Sequence, residues 1–247
     1  MIRGFYTAVS GLVAATTRQA VVADNIANAS TPGFKESRST QSDFELELIR
    51  SSGGALGPLA TAVIPVGLTP NEAQGPIEST GVPTDLSIEG GGVFAVKTAA
   101  GTAFTRAGNF VIDAAGSLTT QAGEPILATD GKPILVPGGA SAFSVGPDGT
   151  VTGTGQRLAL VAWPPGGLER RGDTLLASPA GTATPSLAPG AATAGTIRQG
   201  SLEHSNVDLA TAMTELIGNQ RALGLNSKAL TIQDESLGEV IQLGRLH

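Results

Sequence analysis

The chain has 247 residues, enough for one large domain or two modest ones, and at 40% hydrophobic it can build an ordinary core. Its net charge of −6, with no basic cluster beyond Arg170-Arg171, argues against a nucleic-acid partner. Without Cys there is no disulfide, thiolate nucleophile or Cys-ligated metal, and two His exclude a three-His zinc site. Aromatics at 4% beside 34 Gly and 15 Pro suit turns and close packing better than an aromatic-lined substrate pocket.

Residues 1–29 carry a helical stripe. Phe5, Val9, Leu12, Thr16, Gln19, Val22 and Ile26 recur at steps of three and four, widened by Ala8, Ala15 and Ala23. Ser30-Thr31-Pro32-Gly33 stops the helix, since Pro32 disfavours helical geometry at Thr31 and Gly33 permits a reversal. The start does not read as a secretory signal, and no stretch approaches the roughly 18 apolar residues of a membrane span. Targeting signals alone therefore predict a cytoplasmic protein without membrane insertion.

Residues 35–74 read as a connector of mixed signals. Asp43 to Ile49 could be a short helix or a strand, and Ser51 to Gly57 a loop. Residues 75–204 show short apolar runs bounded by turn residues, the pattern of an antiparallel all-β body. The runs are Leu86–Ile88, Val93–Val96, Phe104–Ile112, Ile126–Leu127, Phe143–Val145 and Leu158–Trp163. Ala177 to Gly195 reads as a long loop.

From Asn206 to Gly244 the pattern is helical again. Ser205 or Asn206 can cap the helix, with Asp208 in its first turn. Leu209, Leu216, Leu223, Leu230 and Leu237 recur every seven residues, and Met213, Gln220, Ser227, Asp234 and Ile241 fill the expected alternate seam position. An N-terminal helix of about 25 residues, roughly 37 Å, is too short to cover one of nearly forty. Part of the ladder is left for another partner.

The predicted fold is thus mixed. Residues 1–34 and 205–247 form a terminal helical assembly domain, packed like a coiled coil, around a connector and an antiparallel all-β central body.

Motifs that could carry chemistry have plainer readings. Gly90-Gly91-Gly92 leads into a strand rather than a helix, so a tight hairpin turn is expected instead of a phosphate loop. Asp113 and Asp148 lack the acidic set of a calcium loop and read as turn residues. His204, Ser205 and Asp208 coexist without a nucleophile elbow, so no catalysis is expected from them. Trp163-Pro164-Pro165 reads as a strand end entering a loop. No catalytic residue, cofactor or metal is predicted.

Three runs carry a family resemblance. Ala23-Asp24-Asn25-Ile26-Ala27-Asn28-Ala29-Ser30-Thr31-Pro32-Gly33-Phe34-Lys35 resembles the N-terminal signature of flagellar rod and hook proteins, with Asp24 where Asn is commoner. Glu203-His204-Ser205-Asn206-Val207-Asp208, with Gln220-Arg221-Ala222 and Asn226-Ser227-Lys228-Ala229, resembles the closing signature. Residues 79–88 and 104–110 resemble the family's β body. The start, Arg3 to Gly11, is similar to the proximal rod protein bordering the distal rod. The distal rod protein is the near alternative, and the short chain argues against the hook subunit.

The resemblance implies a non-enzymatic subunit that polymerises into a helical rod, the drive shaft carrying torque to the hook. The implied partners are the chain itself, neighbouring rod proteins and the flagellar type III export apparatus. Export without a cleavable signal would place the rod in the periplasm and replace the cytoplasmic expectation. The candidate assembly contacts are Phe5, Val9, Leu12, Val22, Asn25, Ile26, Asn28 and Phe34 toward the N-terminus. Toward the C-terminus they are Leu209, Leu216, Gln220, Arg221, Leu223, Asn226, Leu230 and Leu237. The competing class is a secreted β-rich hydrolase or adhesin with helical ends, which would need a catalytic cluster or a large pocket.

Overall fold

The computed structural model describes residues 2–46, 50–51, 54–55, 59–139, 142–162, 167–172, 174–178 and 195–244, with side-chain surroundings described within 9–39 and 68–236. The chain falls into two compact units. One comprises residues 1–26, 37–68 and 208–247, and the other residues 27–36 and 69–207. The turn after the first helix, expected to travel with the helices, therefore belongs to the β body, and so does Phe34.

In the first unit, helix α1 spans Ile2–Ala27 and helix α2 spans Leu209–Gly244. Strand β1, Ser37–Leu46, pairs with β4, Leu59–Pro70, and β2, Arg50–Ser51, pairs antiparallel with β3, Gly54–Ala55. The connector is thus largely strand. Of the two readings of Asp43 to Ile49, strand holds as far as Leu46, and residues 47–49 lie outside the description. Within the expected loop at Ser51 to Gly57, Ser51 pairs with Gly54, and residues 52–53 and 56–57 lie outside the description.

The second unit is built of short strands. They are β5 (Ile77–Ser79), β6 (Leu86–Glu89), β7 (Val93–Thr98), β8 (Gly101–Thr105), β9 (Val111–Ile112), β10 (Leu118–Thr119), β11 (Leu160–Val161), β12 (Glu169–Arg170), β13 (Leu175–Ala177), β14 (Thr196–Gln199) and β15 (Ser201–Glu203). A five-stranded antiparallel sheet runs β11-β7-β8-β13-β12. Separate antiparallel pairs join β14 to β6, β15 to β5 and β10 to β9.

Successive residues of a strand face opposite sides of its sheet, and β7 is apolar on both. Phe94 and Val96 enter one buried cluster with Leu86, Ile88, Phe110 and Leu160. Val93 and Ala95 enter a second cluster with Phe104, Leu127, Val161 and Leu176. Phe94 meets Phe110 edge to face, with ring centroids 5.1 Å apart.

The structure changes two details of the β reading. Phe104 to Ile112 is not one strand: β8 ends at Thr105 and β9 starts at Val111. Gly90-Gly91-Gly92 is not a hairpin turn, because β6 pairs with β14 while β7 pairs with β8 and β11. The glycines carry the chain between sheets, with Gly90 and Gly92 at φ of +98° and +116°. Trp163-Pro164-Pro165 and most of the loop after Ala177 lie outside the described residues.

Candidate functional site

Three charged side chains, one from each of the resemblance runs, meet inside the β body. Glu203, at the end of β15, is buried; its Oε1 accepts from Lys35 Nζ at 2.7 Å and from the Gly75 amide at 2.9 Å. Its Oε2 accepts from Arg106 Nε at 2.5 Å. The Glu203 carbonyl also accepts from the Gly33 amide at 2.7 Å. Arg106 donates further to the carbonyls of Ile88, Gly90 and Gly92, so its guanidinium is satisfied where the two sheets meet. Lys35 Nζ donates to the Ala73 carbonyl as well, at 2.8 Å. Burial holds the Lys35 ammonium below its ordinary pKa of 10.5; Glu203 opposes the shift, and the Arg106 charge adds to it.

This clasp fastens the turn after α1 to the strand preceding α2. Asn206 extends it. Its Oδ1 accepts from the Glu36 amide at 2.7 Å, and its amide group donates to the carbonyls of Asn71 and Ala73. The turn itself follows from its sequence. The Thr31 amide donates to the Asn28 carbonyl at 3.0 Å, and Thr31 Oγ1 to Asn28 Oδ1 at 3.1 Å. Gly33 sits at φ +69°, where a Cβ would come within 2.2 Å of the Ala107 amide nitrogen. Phe34 is buried beneath the Arg170 guanidinium, 4.0 Å from its ring centroid.

On α1 the covered face overlaps the predicted stripe and extends to Ala14, Val21 and Asn25. Ala14, Ala15, Val21, Val22 and Asn25 are buried, whereas Thr16 and Ala23 are exposed. Val9, Leu12 and Ile26 are half-buried, and the side chain of Phe5 lies outside the description. Asn25 closes the helix end with a two-way bond, Nδ2 to the Ser37 carbonyl at 2.9 Å and the Ser37 amide to Oδ1 at 2.8 Å.

On α2 the cap is Asp208, not Ser205 or Asn206. Its Oδ1 accepts from the amides of Ala210 and Thr211, and its Oδ2 from Thr211 Oγ1. The Thr211 bonds come first among the causes that lower its pKa.

The Leu ladder is covered in part. Leu216, Leu223 and Leu230 are half-buried, Leu209 is 44% exposed, and Leu237 lies outside the described side chains. The second seam position is displaced by one residue from expectation. Ala212 and Asn219 are buried and Asn226 and Gln233 half-buried, whereas Met213, Gln220, Ser227 and Asp234 are exposed. A heptad admits a partner residue at either +3 or +4, and here the covered face takes +3. Gly11 of α1 lies against this seam, because a Cβ there would sit 3.3 Å from Asn226 Nδ2. Arg221 is exposed.

The sequence reading missed a set of exposed apolar side chains on α2. Met213, Ile217, Leu225 and Ile232 are 51, 53, 70 and 55% exposed. At 100° per residue they stand on the side of α2 opposite the covered seam, interspersed with the exposed Arg221 and Lys228. The signal was present in these residues, but the stricter seven-residue Leu repeat masked it.

The motifs read as plain turns behave as turns. Asp113 Oδ1 accepts from the amides of Ala115 and Ser117. Asp148 is bonded by Thr150 and Arg157, which lower its carboxyl to about 2. His204 Nε2 lies 2.8 Å from Glu78 on the surface. A pocket in the body is lined by Asn28, Pro32, Phe110, Gln121, Glu124 and Leu175 among others, with Glu124 the one titratable group among its described lining residues. Among the described residues no group of three or more acidic or His side chains could hold a metal, and no helix is long and apolar enough to cross a membrane.

The body ties the turn at residues 27–36 to strand β15, and α2 keeps large apolar side chains exposed, features that suit a structural subunit with surface to share. The comparisons agree. Residues 5–35 match the family description "Flagella basal body rod protein", residues 87–153 "Flagellar hook protein FlgE/F/G D1 domain", and residues 198–243 "Flagellar basal body rod FlgEFG protein C-terminal". The chain is 36% identical to the flagellar basal-body rod protein FlgG of Bacillus subtilis, covering 99% of this chain and all of that one. It is 32% identical to FlgG of Caulobacter vibrioides, over 96% of this chain and 97% of the relative. It is also 32% identical to the rod protein FlgF of Salmonella typhimurium, over 98% of each. The chain belongs to the flagellar basal-body rod protein family and is a structural rod subunit of the flagellum.

Proposed function

We propose that this subunit polymerises with copies of itself and with neighbouring rod proteins into the helical shaft that carries torque to the hook, and that it performs no catalysis. The observation that carries the reading is the apolar set on α2, Met213, Ile217, Leu225 and Ile232, exposed in the single chain. Large apolar side chains gathered on one exposed side of a helix, among charged residues, mark an interaction surface. Contacts between unlike patches of identical subunits that do not close into a ring generate helical filaments. The half-buried Leu216, Leu223 and Leu230 hold α2 to α1 as a coiled-coil-like pair, which leaves the outer face to the neighbour.

Delivery by the flagellar type III export apparatus fits a rod that crosses the periplasm. Residues 3–11 favour a proximal position bordering the distal rod, and the distal rod is the alternative; relatives bearing two rod names keep both in view. The competing class, a secreted hydrolase or adhesin, finds little support in a body pocket whose described lining has Glu124 as its one titratable group. Electron microscopy of purified basal bodies with this subunit labelled tests the assignment. Label within the rod is expected, and its height gives the position. Label absent from the rod would overturn the reading.

A further inference from the structure

Helix α2 contains interior glycines that its own subunit does not require. A Cβ built at Gly218 or Gly224 meets nothing within 4 Å, whereas at Gly11 of α1 it would meet Asn226 at 3.3 Å. An interior glycine weakens a helix relative to alanine, so the single chain would be better served by alanine at both. Gly224 stands on the side of α2 away from the covered seam, beside the exposed Ile217, Arg221 and Lys228. From Ile217 to Ile232 the charged residues are Arg221 and Lys228 alone, one on either side of Gly224. This side of α2 is therefore basic, with a notch between its two cations.

Helix α1 carries the complement. Val13, Thr16, Ala20 and Ala23 are exposed and recur at steps of three and four, so they form one strip. At 100° per residue the strip lies opposite the buried Ala14, Ala15, Val21 and Val22. Its side chains are short. Asp24, the one acidic residue of α1, adjoins it, while Arg18 falls on the other side of the helix.

We infer that the exposed strip of α1 in a second copy seats on α2 at Gly224, with its Asp24 reaching the Arg221–Lys228 pair. The inference rests on the reading that the exposed side of α2 meets a neighbour, and it names what the neighbour presents. Charge selects the occupant. The same side of another α2 would set Arg221 and Lys228 against their own copies, a like-charge juxtaposition that costs affinity, whereas α1 brings the opposite sign. Size agrees, because the distance between packed helices follows the side chains at the contact, and glycine against alanine allows the closest approach. Strip and notch are unlike patches of one subunit, so their contact propagates rather than closing on itself.

Variants carried as the sole copy in a motile strain test this. Gly224→Leu fills the notch without obstruction in the single chain, so the monomer's melting temperature should hold or rise while swimming is lost. Asp24→Lys should also abolish swimming, and so should Arg221→Asp with Lys228→Asp. Combining all three substitutions restores opposite signs and should return swimming to within about twofold of the native rate. Circular dichroism of each purified monomer checks helix content. Normal swimming with Gly224→Leu would overturn the inference, and so would a triple variant as immotile as its parents, which would assign these charges to different partners. Leu225→Asp separates the inference from the reading beneath it. Complete rods with Leu225→Asp would sink the reading itself; rods stopped by Leu225→Asp but not by Gly224→Leu would sink this inference alone.

Discussion

Lys35 and Glu203, 168 residues apart, form a buried ion pair at 2.7 Å, and Arg106 closes on the other carboxylate oxygen. The three groups are not equivalent. Glu203 is the single anion between two cations, whereas either cation can be lost and leave a neutral pair.

Removing Glu203 should therefore cost most. Glu203→Gln leaves Lys35 and Arg106 buried without a counter-charge, a loss of about 3–5 kcal/mol. Lys35→Met keeps the Arg106–Glu203 pair and should cost the least. Arg106→Met should fall between, because it keeps Lys35–Glu203 but strips a donor from the carbonyls of Ile88, Gly90 and Gly92. Thermal melts of the three full-length variants give the order, at roughly 2–4 °C per kcal/mol for a chain of this size.

The Lys35 shift has a signed consequence. Burial lowers the folded pKa below 10.5, so between the folded and unfolded values the unfolded chain binds more protons. Stability from this group therefore rises as pH climbs through that window; it is complete above 10.5 and lost as pH falls through the folded value. Urea midpoints measured across the alkaline range should show this gain in the native chain relative to Lys35→Met. A gain of the same size in the Met variant would assign the effect to other groups.

Gly33 should tolerate no side chain. Its φ of +69° is left-handed, and an added Cβ would meet the Ala107 backbone at 2.2 Å. Gly33→Ala should cost about 2 kcal/mol or more and should loosen Phe34 and Lys35 together. Hydrogen exchange at the amides of Gly33 and Glu36 reads this, since each is bonded across the clasp.

Much of this arrangement was legible in the sequence. The period of the two ends, the stop at Pro32-Gly33 and the Asp turns are local signals, and local signals survive folding. The clasp was not legible as a clasp: Lys35, Arg106 and Glu203 sit in the three resemblance runs, but nothing in a linear sequence pairs charges across 97 and 168 residues. The α2 seam was half legible. Its Leu position is half-buried at Leu216, Leu223 and Leu230, while the choice between Met213 and Ala212 as the alternate position depends on which side α1 lies, a tertiary fact. In the connector, β-branched and polar residues gave no clear period, and strand pairing between β1 and β4 settled what propensity left open.

Leu223 is half-buried on the covered seam, so Leu223→Asp should both loosen the helix pair and block assembly, while Leu223→Met, similar in volume, should do neither. Loss of motility in the Asp variant with the β body's melting transition retained is the expected pattern.

The outer face of α2 gives the most direct test of the account, because Leu225 is 70% exposed and its replacement removes little from the single chain. Leu225→Asp, alone and with Ile217→Asp, should leave the melting temperature and helix content of the monomer unchanged. Basal bodies isolated from a strain carrying the variant as its sole copy are then imaged for a completed rod. The account predicts rods that stop where this subunit should begin, with no hook or filament beyond. Full-length rods and normal swimming would contradict it and show that this face is not an assembly contact.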